Sequence, residues 1–402
     1  MFEGFGQRRS LIILSFTLIV VTLGFGLVIP IFPFYIENLG AGGKELGLLL
    51  ASTALLEFVF APVWGGISDR KGRRPVLMIG IVGYGLSSLL FGLSTQLWML
   101  FAARALSGVL SSATLVAAMA YVGDATEDED RGKGMGYLGA AMALGIIIGP
   151  GLGGWLAGDS LSRPFFIAAA LSGVALLLIF LLLPESLPVV ERKQGKEKIS
   201  TVNLHELGQA LSSPIGVLLF MVALFSFALT NFEAVFGLYA LEKFAYGPEQ
   251  VGTILMVIAI VSTVGKVTLI GPTTKRWGEA AVIKGSLLAG SVGFAVLLLA
   301  EAFVPLLLAT AFFILSKTLL RPATLALISK RTTTGQGTAM GLSSSFASLG
   351  RIAGPIWAGF AFDANVNYPY LSGSLIMFGA FLLSLVLIVP DRVETAVRKP
   401  TG

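Results

Sequence analysis

Two carboxylates, Glu57 and Glu233, and six cations, Arg104, Lys266, Lys284, Lys317, Arg321 and Arg351, fall inside long apolar runs of this chain. An ionisable side chain in hydrocarbon is costly, so each marks a candidate site for moving a proton or holding a solute. Glu233 lies beside Asn231 and Phe232, with Phe225 and Phe236 on the adjoining apolar stripe. A carboxylate in that setting suits loading a proton on one side of a barrier and unloading it on the other; the alternative is a structural acid permanently paired to a lysine. Arg104 does not deprotonate, so it must face a cavity or a carboxylate, and Glu57 is the available partner. In the second half of the chain Lys266, Lys317, Arg321 and Arg351 accompany the single acid Glu233. A cavity of that sign would repel lipophilic cations and suit an anionic or zwitterionic solute, unless the lysines extend along their stems to the nearer interface.

The elements that must hold these groups are membrane spans. Apolar runs occupy roughly 10–35, 46–67, 75–94, 97–122, 134–157, 163–183, 214–240, 250–270, 280–300, 303–327, 338–361 and 370–390, each long enough for a hydrocarbon core of about 30 Å. The chain is 55% hydrophobic and 13% charged, too little polar surface for a water-soluble body of its size. Its 49 glycines suit closely packed membrane helices. The first run is too long for a cleavable signal and continues through Pro30 and Pro33 towards the second. Between the second and third runs sits a dense cationic hairpin, Gly65 to Arg74, with Asp69 among Arg70, Lys71, Arg73 and Arg74. With both termini cytoplasmic, 19 of the 28 Lys and Arg fall inside and only Lys44, Arg163 and Lys243 outside, the asymmetry that fixes topology. The net charge of +5 is therefore a topology signal and implies no nucleic-acid partner.

The chain also repeats itself. Met135-Gly136 and Leu144-Gly145 through Gly149-Pro150 recur as Met340-Gly341 and Leu349-Gly350 through Gly354-Pro355, 205 positions on, and Gly47 maps onto Gly252. A worn copy of the hairpin runs from Gly271 to Gly278. The expected architecture is an all-α membrane protein with twelve transmembrane helices in two pseudo-symmetric six-helix bundles, 1–184 and 213–402, joined by a cytoplasmic linker, 185–212. The sole histidine, His205, lies in that linker, which excludes a histidine proton relay within the membrane. The absence of cysteine excludes thiolate metal sites and nucleophiles. No catalytic constellation and no phosphate-binding glycine loop appears, so the expectation is a non-enzyme without cofactor or metal, driven by an ion gradient.

These residues resemble the major facilitator superfamily and, within it, drug:proton antiporters of the NorA and Bmr type, over essentially the whole chain. The hairpin, with Gly65, Asp69, Arg70, Gly72 and Arg73, is similar to the family's loop between helices 2 and 3. Arg104 with Gly108 is similar to its fourth-helix motif, and Gly145, Gly149, Pro150, Gly153 and Gly154 to the fifth-helix motif of exporters. Further likenesses are Gly26 to Pro30, Phe232-Glu233 and Arg321-Pro322. The resemblance implies a bacterial plasma-membrane exporter that acts as a monomer by alternating access, with Glu233 as proton carrier and Arg104 assisting; Glu57, the other acid inside a span, is the expected partner of Arg104 in that coupling. It implies a cytoplasmic latch of Asp69, Arg73 and Asp124 and a midplane cavity between the bundles, which on the reading of the residues above includes Asn231, Phe232, Phe236, Lys266, Lys317, Thr318, Arg321 and Arg351. The chain departs from the family at Thr318, where these exporters carry an acid three residues before the Arg-Pro pair. The expected substrate is an amphipathic drug-like molecule. The alternatives are a secreted anionic metabolite such as a siderophore or metallophore, and, from another class, a lipid flippase or a non-transporting receptor on the same scaffold.

Overall fold

The computed structural model describes residues 2–125, 128–158, 160–188, 204–333 and 335–388, and every regular element among them is helical. Helix α1 (Phe2–Val28) turns through Pro30 into the short α2 (Phe32–Asn38), followed by α3 (Gly43–Lys71) and α4 (Arg73–Leu93). Helix α5 (Leu97–Leu106) passes through a π-helical turn, Ser107–Ser111, into α6 (Ser112–Ala125); α7 (Asp128–Leu156) and α8 (Arg163–Leu182) complete a first bundle. After α9 (Leu204–Ala210) come α10 (Gly216–Phe244), α11 (Pro248–Leu298), α12 (Phe303–Arg331), α13 (Gln336–Ala364) and α14 (Tyr368–Leu387). Of the expected linker, residues 189–203 lie outside those described.

Ten helical segments are long and apolar enough to cross a membrane. The 51-residue α11 breaks at Gly278, whose φ of 76° a side chain would resist, so it holds two spans, as the sequence expects. Gly72 makes the matching break between α3 and α4, at φ 105°. With the 29-residue α13, whose hydropathy is diluted by small polar residues and Arg351, the described helices are consistent with twelve spans.

Two seams join the bundles, α3 against α13 and α7 against α11, and glycine makes both possible. A Cβ on Gly47 would lie 3.1 Å from the carbonyl carbon of Pro355, and one on Gly359 would lie 2.9 Å from that of Gly43. Across the other seam, a Cβ on Gly154 would lie 3.0 Å from the carbonyl carbon of Pro248, and one on Gly252 would lie 3.1 Å from the Gly154 Cα. These are the same contacts twice, related by the sequence repeat. The remaining motif glycines face the other way, since Cβ atoms on Gly145, Gly149 and Gly153 would strike α1 at Leu23, Gly26 and Leu27. Spaced four apart, they form a bare stripe against which α1 lies backbone to backbone.

The seams close only one end of the molecule. Beyond Thr53, Ser68 is the only buried residue of α3, and between Gly265 and Ala280 no residue of α11 is buried. Cβ atoms on Gly136, Gly139, Gly271, Gly337 and Gly341 would meet nothing within 4 Å. The bundles thus touch at the end remote from the hairpin and part at the hairpin end, leaving a cavity between them.

Candidate functional site

The wall of this cavity carries the charges. Lys317 on α12 donates to Glu233 Oε1 on α10 at 3.2 Å, with about half of the glutamate side chain exposed. One helical turn on, Arg321 shares the face of Lys317. Thr318, turned inward and buried, meets Ser262 of α11 at 3.0 Å, fixing α11 beside α12. Gly265 packs against Leu315 and Thr318, which sets Lys266 at the level of Lys317; Lys266 feels the fields of Lys317 and Arg321. Arg351 of α13 donates to Ser348 at 3.1 Å and lies within electrostatic range of Arg321 and of Glu57 on α3. The expected charges of both bundles therefore face one another where the seams end.

Four residues expected at the cavity lie elsewhere. Asn231 is fully buried and donates to the carbonyl of Pro369 at 2.6 Å. Phe232 and Phe236 are equally buried, in a ring cluster with Phe294, Phe313 and Tyr370. The reason is that α10 is apolar and buried around most of its girth, so neighbours of Glu233 in sequence point into the second bundle while Glu233 points out of it. Thr318 is the fourth, its hydroxyl spent on Ser262 and on its own helix at Ile314.

Arg104 is buried in the first bundle, its guanidinium 4.1 Å from the centre of the Phe32 ring and 5.3 Å from that of Phe91. It makes no hydrogen bond to Glu57 among the described residues, although the two lie within electrostatic range. The π-helical turn follows directly, and Trp64 takes the carbonyl of Val109 there at 2.5 Å. Gly108 in the same turn lets α3 approach, since a Cβ would sit 2.8 Å from Leu56. The arginine is thus held on aromatic faces by a locally widened helix.

At the hairpin end, Arg73 bridges Asp69 at 2.5 Å and Asp124 at 2.7 Å and reaches Ser68 at 3.2 Å. Gly65 faces Val116 of α6 at ordinary contact distance, and Arg70 lies in the last turn of α3. These partners all belong to the first bundle. Glu185, assigned to the linker by sequence, accepts the amides of Arg73 at 2.8 Å and Arg74 at 3.3 Å. It thereby caps the positive N-terminus of α4, a role with no local sequence signal because 111 residues intervene.

The closed end has its own carboxylate, which sequence reasoning missed. Asp363 on α13 accepts the amides of Gly43 at 2.8 Å and Lys44 at 3.0 Å, at the N-terminus of α3. The bond spans the two bundles. The repeat's counterpart of Asp363 is Gly158, and along that seam runs an open groove of about 720 Å³ lined by Tyr35, Ser94, Gly158 and Glu249 among others. The signal available in sequence was an acid at the end of a span, facing no cation of its own.

Two helical bundles enclosing a charged cavity, sealed at one end and open at the other, define a membrane transporter, not an enzyme. The chain belongs to the Major Facilitator Superfamily, whose family model matches residues 14–315 and 218–402. It is similar to Multidrug resistance protein 2 of Bacillus subtilis, 34% identical over 94% of this chain and 95% of that one. Quinolone resistance protein NorA of Staphylococcus aureus is 26% identical over 98% of this chain and 99% of that one. Among solved structures, the nucleoside transporter NupG (D323A mutant) superposes with a TM-score of 0.78 at 15% identity, covering 94% of this chain and 99% of its own, a likeness of fold alone.

Proposed function

We propose that this chain is a proton-coupled exporter of amphipathic small molecules, working by alternating access in a bacterial plasma membrane with the hairpin on the cytoplasmic side. The names of its relatives support efflux, and the basic hairpin supports the orientation. The structure then corresponds to an inward-open state: substrate enters from the cytoplasm or inner leaflet while the glycine seams and Asp363 hold the outer end shut. Reversal closes the inner end, where Asp69, released towards the N-terminus of α13, becomes the mirror of Asp363 at the N-terminus of α3. The observation that carries proton coupling is the Glu233–Lys317 pair on the cavity wall at 3.2 Å. When Glu233 binds a proton the pair loses its attraction and Lys317 is freed; when the proton leaves to the cytoplasm the pair reforms. Arg104, stacked on aromatic rings and lacking a hydrogen-bonded acid, tunes the field at Glu57 without carrying the proton.

The test is Glu233→Gln in proteoliposomes. The variant is expected to bind an amphiphilic dye nearly as wild type does while losing transport driven by a pH gradient. Full pH-driven transport by the variant contradicts the assignment.

A further inference from the structure

The fold does not require the cations of the second bundle. At the places in the first bundle that correspond to Lys266, Lys317, Arg321 and Arg351 the chain has Phe60-Ala61, Ser111-Ser112, Leu115-Val116 and Ile146. The repeat builds the same helices there without charge, so a packing role does not account for four cations on α11, α12 and α13. Lys317 is answered by Glu233. Lys266 and Arg321 make no hydrogen bond or ion pair among the described residues, and Glu57 reaches Arg351 only through the field. Lys266, Arg321 and Arg351 are all exposed, at mid-span positions where exposure means either lipid or cavity. Lipid is the costly choice. Their mutual proximity, and that of Arg351 to Glu57 across the bundle divide, places them on the cavity. Like charges held together in a cavity of low dielectric repel, and the repulsion falls when an anion sits among them.

We propose that Lys266, Arg321 and Arg351 form the receiving site for the acidic head group, a carboxylate or phosphate, of an amphiphilic solute. Its apolar body lies along the cavity towards the first bundle, and Lys317 stays paired with Glu233 while the solute is bound.

This deepens the exporter reading and rests on it, so the test reads binding and transport separately. The probes are rhodamine B, a zwitterion of cationic ring system and free carboxylate, and its methyl ester, which keeps the cationic ring system without the carboxylate. Binding is measured by fluorescence anisotropy on the full chain in phosphatidylcholine nanodiscs. Wild type is expected to bind the free acid about tenfold tighter than the ester, and Arg351→Gln or Lys266→Gln to reduce that ratio to about threefold or less. Ester affinity in the same variants should hold or rise, because the ester is a lipophilic cation, and this guards against a mere loss of folding. Equal affinities in wild type, or an unchanged ratio in both variants, overturn the site. Loss of the preference on adding phosphatidylglycerol would mean that lipid head groups fill the site, overturning a solute as its ligand. A preserved ratio with no pH-driven export would instead refute the exporter reading and leave the anion site standing.

Discussion

Replacing Asp363 by asparagine should open the closed end of the molecule. The carboxylate makes two bonds to backbone amides, Gly43 at 2.8 Å and Lys44 at 3.0 Å, and both amides belong to the positive end of α3. Asparagine keeps the shape and one acceptor oxygen but removes the charge and one bond. A hydrogen bond to a charged group contributes about 1.5–3 kcal/mol in a buried site, and the helix end about 0.3–1 kcal/mol. Asp363 is exposed, so solvent screening reduces the net to about 1 kcal/mol, close to a fivefold change in the ratio of molecules closed to molecules open at this end. Because the chain has no cysteine, labels on Ser160→Cys and Tyr246→Cys are unique. They report the distance between the bundles at the closed end, by single-molecule energy transfer or spin-label spectroscopy. The expected outcome is a rise of about fivefold in the long-distance population relative to the short one. A ratio unchanged within twofold would refute the argument that this carboxylate holds this end shut.

Three further outcomes follow from the same geometry. Asp69→Asn removes the charge that the proposed reversal brings to α13 and should slow turnover without changing substrate preference, as measured by dye efflux; an unchanged rate with unchanged bundle distances makes Asp69 incidental. Gly252→Ala drives a methyl group onto the carbonyl of Pro150. It should disfavour the sealed seam by about 1–3 kcal/mol, read with the same label pair, and an unmoved equilibrium would show that the seam yields easily. Glu185→Ala exposes the N-terminus of α4 and should cost about 0.5–2 kcal/mol of stability, visible as a lower Tm in detergent, while Glu185→Gln recovers part of it.

The spans, the repeat and the hairpin were legible because each is written locally or by translation along the chain. Hydropathy marks the spans, and the match of Gly47 with Gly252 turns out to record a contact, each glycine meeting the proline carbonyl of the opposite bundle. The orientation of Glu233 against Asn231 and Phe232 was not legible, because a helix buried on most sides has no polar stripe to set the register of its faces. The setting of Arg104 was hidden for a related reason. An arginine in a span calls for a carboxylate on electrostatic grounds, yet the fold supplies the faces of Phe32 and Phe91. Asp363 and Glu185 act across 320 and 112 residues, where only a folded chain shows which helix end an acid will meet.

Coupling to protons is what the proposed export turns on. The measurement is uptake of rhodamine B into inside-out proteoliposomes of wild-type protein under three conditions: an acidic lumen, no gradient, and a sodium gradient alone. The account predicts accumulation with the acidic lumen and collapse of that accumulation when a protonophore is added. Uptake that is indifferent to the pH gradient, or that follows sodium instead, would contradict it.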